Sequence, residues 1–180
     1  MAWKRAGLPE LSIAVNLSAV QFKRADVEKT VIDALQASGL DPALLELELT
    51  ESILIQDAEN VLVTVKRLKL LGVKLSIDDF GTGYSSLSYL KRFAIDRLKI
   101  DQSFVRDLAS NEDDAAIVRA IIQMARSLNL RTVAEGVENI DILQRLRLLH
   151  CDEPPRYHIA RPMPADAFAA YLSATQAMVR

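Results

Sequence analysis

Nine residues share one position in the local pattern. Asn16, Glu48, Glu51, Asp78, Asp79, Lys99, Asp101, Glu135 and Glu138 each stand at or just beyond the C-terminal end of a short apolar run. All but Lys99 offer an oxygen. Carboxylates and an amide suit a hard divalent cation such as Mg²⁺ or Mn²⁺ better than zinc. The chain's two histidines, His150 and His158, have no ligand-like spacing to each other or to Cys151. An acid at one strand end reads most simply as a helix cap or salt-bridge partner. Acids at successive strand ends read differently, because several converging carboxylates cannot all stay ionised without cations. Lys99 and Asp101 share a strand face, so a buried ion pair between them is an alternative to a role for Lys99 in chemistry. A Schiff base on Lys99 is a further alternative.

The elements that must position these residues alternate. Ser12–Leu17 reads as a strand, and Val27, Val31 and Leu35 then repeat at helical spacing until Gly39. Leu45–Thr50 alternates apolar and polar residues, placing Glu46 and Glu48 on the face opposite Leu45, Leu47 and Leu49. A helix through Val61, Val65 and Leu68 follows. Val73–Ile77, Asp96–Ile100 and Thr132–Ala134 read as further strands, and a weaker one is expected near Tyr157–Ala160. Asn111 is placed to cap a helix that buries Ile117, Ile121, Met124 and Leu128; another helix is expected over Ile140–Leu149. Strands alternating with helices predict parallel βαβ units. No Gly-x-Gly-x-x-Gly turn follows the first strand, so a dinucleotide-binding sheet loses its best support. In a parallel barrel the C-terminal strand ends converge on one face, where sites in this fold lie.

Composition fits one globular domain spanning 1–180, with no linker-like tract to divide it. A net charge of −2 supplies no general basic field for a nucleic-acid polymer. An anionic substrate would need a local device such as bound cations. The single cysteine excludes an internal disulfide and fits a reducing compartment. Without a signal peptide or an apolar run long enough to span a bilayer, the expectation is a cytoplasmic domain.

Five segments together carry a resemblance. Ser76-Ile-Asp-Asp-Phe-Gly-Thr-Gly-Tyr-Ser-Ser-Leu87 closely resembles a hallmark of EAL-domain cyclic di-GMP phosphodiesterases. Val15-Asn-Leu-Ser18, Glu48-Leu-Thr-Glu-Ser52, Leu98-Lys-Ile-Asp101 and Ala134-Glu-Gly-Val-Glu138 agree with it in order and spacing. The resemblance runs from about Leu11 to Leu172. It implies a TIM-like (β/α) barrel and hydrolysis of cyclic di-GMP to linear pGpG with two Mg²⁺ or Mn²⁺ ions. It implies Asn16, Glu48, Asp78 and Asp79 as metal ligands, Lys99 as holder or activator of the attacking water, and Glu135 as a supporting acid. Glu51 would anchor the Phe80–Ser86 loop, with Glu138 and Asp101 behind the ligands. Further implications are a homodimer through that loop and fusion to sensory or GGDEF domains.

The sequence departs from the family pattern in two places. The Glu-Ala-Leu motif lies upstream of Val15-Asn-Leu-Ser18 in the family and is absent here, so the resemblance implies a barrel lacking that N-terminal strand. Pro155, in His150-Cys-Asp-Glu-Pro-Pro-Arg-Tyr157, stands where the family carries a site glutamine. These departures keep a second function open, a catalytically inactive domain that binds cyclic di-GMP or a protein partner.

Overall fold

The computed structural model describes residues 11–24, 26–55, 58–83, 90–153, 163–164, 167–168 and 170–171. In chain order the elements are β1 (Ile13–Leu17), α1 (Ala19–Arg24), α2 (Val27–Ser38), β2 (Leu45–Thr50), α3 (Glu51–Ile55) and α4 (Ala58–Leu70). There follow β3 (Lys74–Phe80), β4 (Arg97–Ile100), α5 (Gln102–Val105), α6 (Glu112–Ser127), β5 (Arg131–Ala134) and α7 (Ile140–Leu148). Among the described residues the five strands are all parallel and stand side by side in chain order. That order belongs to a β/α barrel; a doubly wound sheet reverses direction at a switch point. After α7 the chain returns to the free side of β5, where Glu153 pairs in parallel with Val133. The expected strand near Tyr157–Ala160, like Pro155, lies outside the described residues.

Alternation along the strands separates two environments. Leu47, Leu49, Leu75, Ile77, Leu98 and Ile100 are almost wholly buried and meet the helices, including Val65 and Leu68 of α4. The other strand face carries the polar residues in register: Asn16 beside Glu48, and Glu48 beside Ser76. At the N-terminal end of this inner face, Arg97 donates to Glu46 at 2.6 Å and also reaches Glu153 at 3.1 Å. The Glu46 carboxylate, 5% exposed, is therefore paired, as burial of a charge requires.

Helix ends follow local chemistry. Asp26 accepts from the Lys29 amide at the start of α2, and Asn111 accepts from the amides of Asp113 and Asp114 at the start of α6. The buried stripe of α6 is rotated from the expected one: Ala115, Val118, Ile121, Ile122 and Ala125 are buried, whereas Ile117 is 39% exposed. The two alanines permit close packing against the core, so the face is marked by small residues as well as large ones. Among the described residues, no helix is long and apolar enough to cross a membrane.

Candidate metal centre

The charged residues gather at the C-terminal strand ends around Lys99. Its ammonium lies 2.9 Å from Glu48 Oε1, 2.9 Å from Asp78 Oδ1 and 2.7 Å from Glu135 Oε1. Thus β4 projects one cation between acids delivered by β2, β3 and the end of β5. Burial alone would favour the neutral amine, but the hydrogen bonds to Glu135, Asp78 and Glu48 prevail and raise the Lys99 pKa well above its ordinary value. With no cation among these acids, the protonated form of Lys99 is favoured. Burial raises the Glu48 pKa, with Lys99 opposing the rise. Among the described residues one positive charge meets three carboxylates, which leaves that set short of positive charge.

A bulge adds a fourth acid. Along β3 the register advances from Ile77 to Phe80 while β4 advances only from Leu98 to Ile100. Asp79 takes up the extra residue in a left-handed conformation, φ 53°. Consecutive residues of a regular strand point to opposite faces. Here the bulge brings ligand oxygens of Asp78, Asp79 and Glu135 within 4.8 Å of one another. Burial, the neighbouring Asp78 charge and a hydrogen bond with Asp101 all raise the Asp79 pKa.

Asn16 completes the cluster from β1. With its amide nitrogen turned inward it donates to Asp78 Oδ2 and Glu48 Oε2, both at 3.2 Å; in the other orientation its oxygen joins theirs. A set of oxygens from Asn16, Glu48, Asp78, Asp79 and Glu135, with a shortage of positive charge, fits a hard divalent cation.

The remaining candidates do other things. Glu51, 4% exposed at the start of α3, accepts through Oε2 from the backbone amides of Gly81 and Gly83 at 3.1 and 3.3 Å. These bonds fasten the start of the Phe80–Ser86 loop; residues 84–89 lie outside the described residues. Asp101 is not the partner of Lys99. It lies just past β4 and caps α5, accepting from the Ser103 amide at 2.8 Å, so the alternative of a Lys99–Asp101 pair is set aside. Glu138 is exposed beyond β5 and joins no hydrogen bond or ion pair among the described residues. Sequence reasoning missed Thr50, Ser52 and Thr82, which with Glu51, Asp79 and Gly83 line a cavity of about 390 Å³ beside the cluster. Hydroxyls at such spacing carry no signal of their own.

A family model described as EAL domain matches residues 1–162. The chain belongs to the EAL domain family. Among its relatives, MucR of Pseudomonas aeruginosa, a bifunctional diguanylate cyclase/cyclic di-GMP phosphodiesterase, is 48% identical over 168 residues. That match covers 93% of this chain and 24% of the relative, so the chain spans about a quarter of that protein's length. The MucR phosphodiesterase solved in complex with c-di-GMP superposes with a TM-score of 0.86 at 47% identity, covering 93% of this chain and 68% of that one. A manganese/c-di-GMP complex of Klebsiella pneumoniae BlrP1 superposes with a TM-score of 0.72 at 35% identity, over 82% of this chain and 39% of that one. The sheet and its helices thus match EAL structures, and the expectation of a TIM-like architecture holds.

Proposed function

We propose that this EAL domain hydrolyses one phosphodiester of cyclic di-GMP, giving linear pGpG, with two Mg²⁺ or Mn²⁺ ions. The observation that carries the reading is the convergence of Glu48, Asp78 and Glu135 on Lys99, with Asp79 brought alongside by the bulge. Support comes from relatives whose structures contain c-di-GMP, one of them with manganese.

Asn16, Glu48 and Asp78 would hold one ion, with Asp78 and Asp79 reaching the other and Glu135 in support. Bound ions of this kind lower the pKa of water and stabilise charge on phosphoryl oxygens. Lys99 reaches Glu48, Asp78 and Glu135 as a hydrogen-bond donor, so the role that fits is to hold the attacking water or a phosphoryl oxygen in place by hydrogen bonding. Its ion pairs with three acids work against Schiff-base chemistry, which needs a neutral amine. Glu51 fixes the loop beside the cluster, and the cavity next to Asp79 gives a ligand room to approach. On this reading Asp101 and Glu138 lie outside the ligand set.

The wider setting is part of the same proposal: a cytoplasmic domain within a longer signalling protein, joined to GGDEF or sensory domains and able to pair through the Phe80–Ser86 loop. Pro155 favours one second reading, binding without hydrolysis, because proline supplies no side-chain amide at the glutamine position. Incubating the chain with cyclic di-GMP and Mn²⁺, while following binding and pGpG together, separates the two. Turnover supports hydrolysis, binding alone supports the sensor, and the absence of both overturns this assignment for the isolated chain.

A further inference from the structure

We propose that α5 braces the metal centre, with Gln102 and Phe104 as positioning residues for Glu135 and Asp79; this rests on the metal-centre reading above. Two glycines locate the contacts. Gly136 directly follows Glu135, and Gly81 follows Asp79 by two residues; both have positive φ, 67° and 104°. A Cβ at Gly136 would lie 2.7 Å from Gln102 Cβ and 3.5 Å from its Cα. A Cβ at Gly81 would lie 3.0 Å from Phe104 Cε2 and 3.2 Å from Ile121 Cδ1. The backbone just after each acid therefore lies directly against the same single-turn helix.

That helix is itself held in place. Asp101 caps it, Arg106 donates to Gln102 Oε1 at 2.9 Å, and Val105 is fully buried. The Glu135 amide donates to Ile100 O at 3.2 Å, so the acid and the helix leave the sheet at the same level. Asp79 and Glu135 come from strands on opposite sides of β4, and α5 leaves β4 between them. A metal ligand must be held to about 0.5 Å, and groups behind the ligands set that position. A methyl group wedged between Gly136 and Gln102 would push Glu135 from its place, even though it touches no ligand atom.

The test is a double-mutant cycle on the whole chain: wild type, Gly136→Ala, Gln102→Gly and the pair. Backbone strain from Ala at positive φ is common to both alanine variants, so the cycle isolates the contact with Gln102. Mn²⁺ affinity is read by calorimetry, with thermal unfolding alongside. Gly136→Ala is expected to weaken Mn²⁺ binding about 10–100-fold, and Gln102→Gly in that background to recover much of the loss. Phe104→Leu is expected to weaken binding with little change in melting temperature. A second readout needs no metal: the carboxyl ¹³C shift of Glu135 at fixed pH reports its pairing with Lys99. Gly136→Ala should move that resonance, and the paired variant should return it. A wild-type chain that binds no Mn²⁺ would overturn the proposed function, and the brace would then stand or fall on the ¹³C cycle. Equal effects of Gly136→Ala with and without Gln102, in both readouts, would overturn the brace.

Discussion

Asp78 and Asp79 are neighbours in one strand, yet their carboxylates reach the same cluster because Asp79 lies in a left-handed bulge, φ 53°. Aspartate tolerates this conformation better than most side chains, and β-branched residues tolerate it poorly. Asp79→Asn should therefore fold normally while binding Mn²⁺ at least about tenfold more weakly. Asp79→Val should lose an additional ~1–2 kcal/mol of stability. Calorimetry and thermal unfolding of the two variants check both halves; equal stability would argue against strain at this position.

Lys99 offers a sharper test, since it touches Glu48, Asp78 and Glu135 at once. Lys99→Ala should abolish pGpG formation and destabilise the metal-free chain by roughly 3–5 kcal/mol, because three acids are left facing one another. Added Mn²⁺ should restore part of that stability but not the turnover. Asp78→Asn should also abolish turnover. Wild-type hydrolysis in either variant would remove the cluster from the mechanism.

Glu51→Gln keeps the shape of the side chain but removes the charge that accepts from Gly81 and Gly83. Charge-assisted hydrogen bonds exceed neutral ones, so a loss of about 1–2 kcal/mol is expected. Amide hydrogen exchange at those two glycines should accelerate more than exchange in β2. Unchanged protection would mean that the loop is held by other contacts.

The pH response should reverse when metal is supplied. Burial raises the pKa of Glu48 and of Asp79, so folding favours their protonated forms. Their contribution to metal-free stability is fully present below the ordinary values of 4.5 and 3.8 and is lost as pH rises through the raised, folded values. Asp101 runs the other way: burial opposes the shift, but hydrogen bonds from Ser103 lower its pKa. Its contribution is present above 3.8 and lost as pH falls through the lowered value. Metal binding requires deprotonated acids, so the gain in melting temperature from Mn²⁺ should grow as pH rises through the window set by Glu48 and Asp79. A gain independent of pH would separate these acids from the metal.

Much of this protein is legible in its residues alone. The alternation Leu45-Glu-Leu-Glu-Leu-Thr50 marks β2 and its two faces, since a strand has period 2 and only one of its faces here can accept charge. Asn111 and the acids after it mark the start of α6, because a helix leaves its first amides unpaired. Repeated strand–helix alternation with polar residues at strand ends is enough to imply parallel units and a site at one end. Tertiary structure decided what local pattern could not encode. Asp101 is two residues from Lys99, a spacing that suggests a pair, but the strand ends at Ile100 and Asp101 turns to cap α5. Ile117 fits the apolar spacing of a core residue but is exposed, because Ala115 and Ala125 lie on the buried face that packs α6 against the core. Asp79 reaches the acidic cluster through a register shift between β3 and β4, which depends on two strands at once. Period and capping act within a few residues and can be read from sequence; a bulge, a shared lysine and a brace are relations between segments distant along the chain, which only packing brings together.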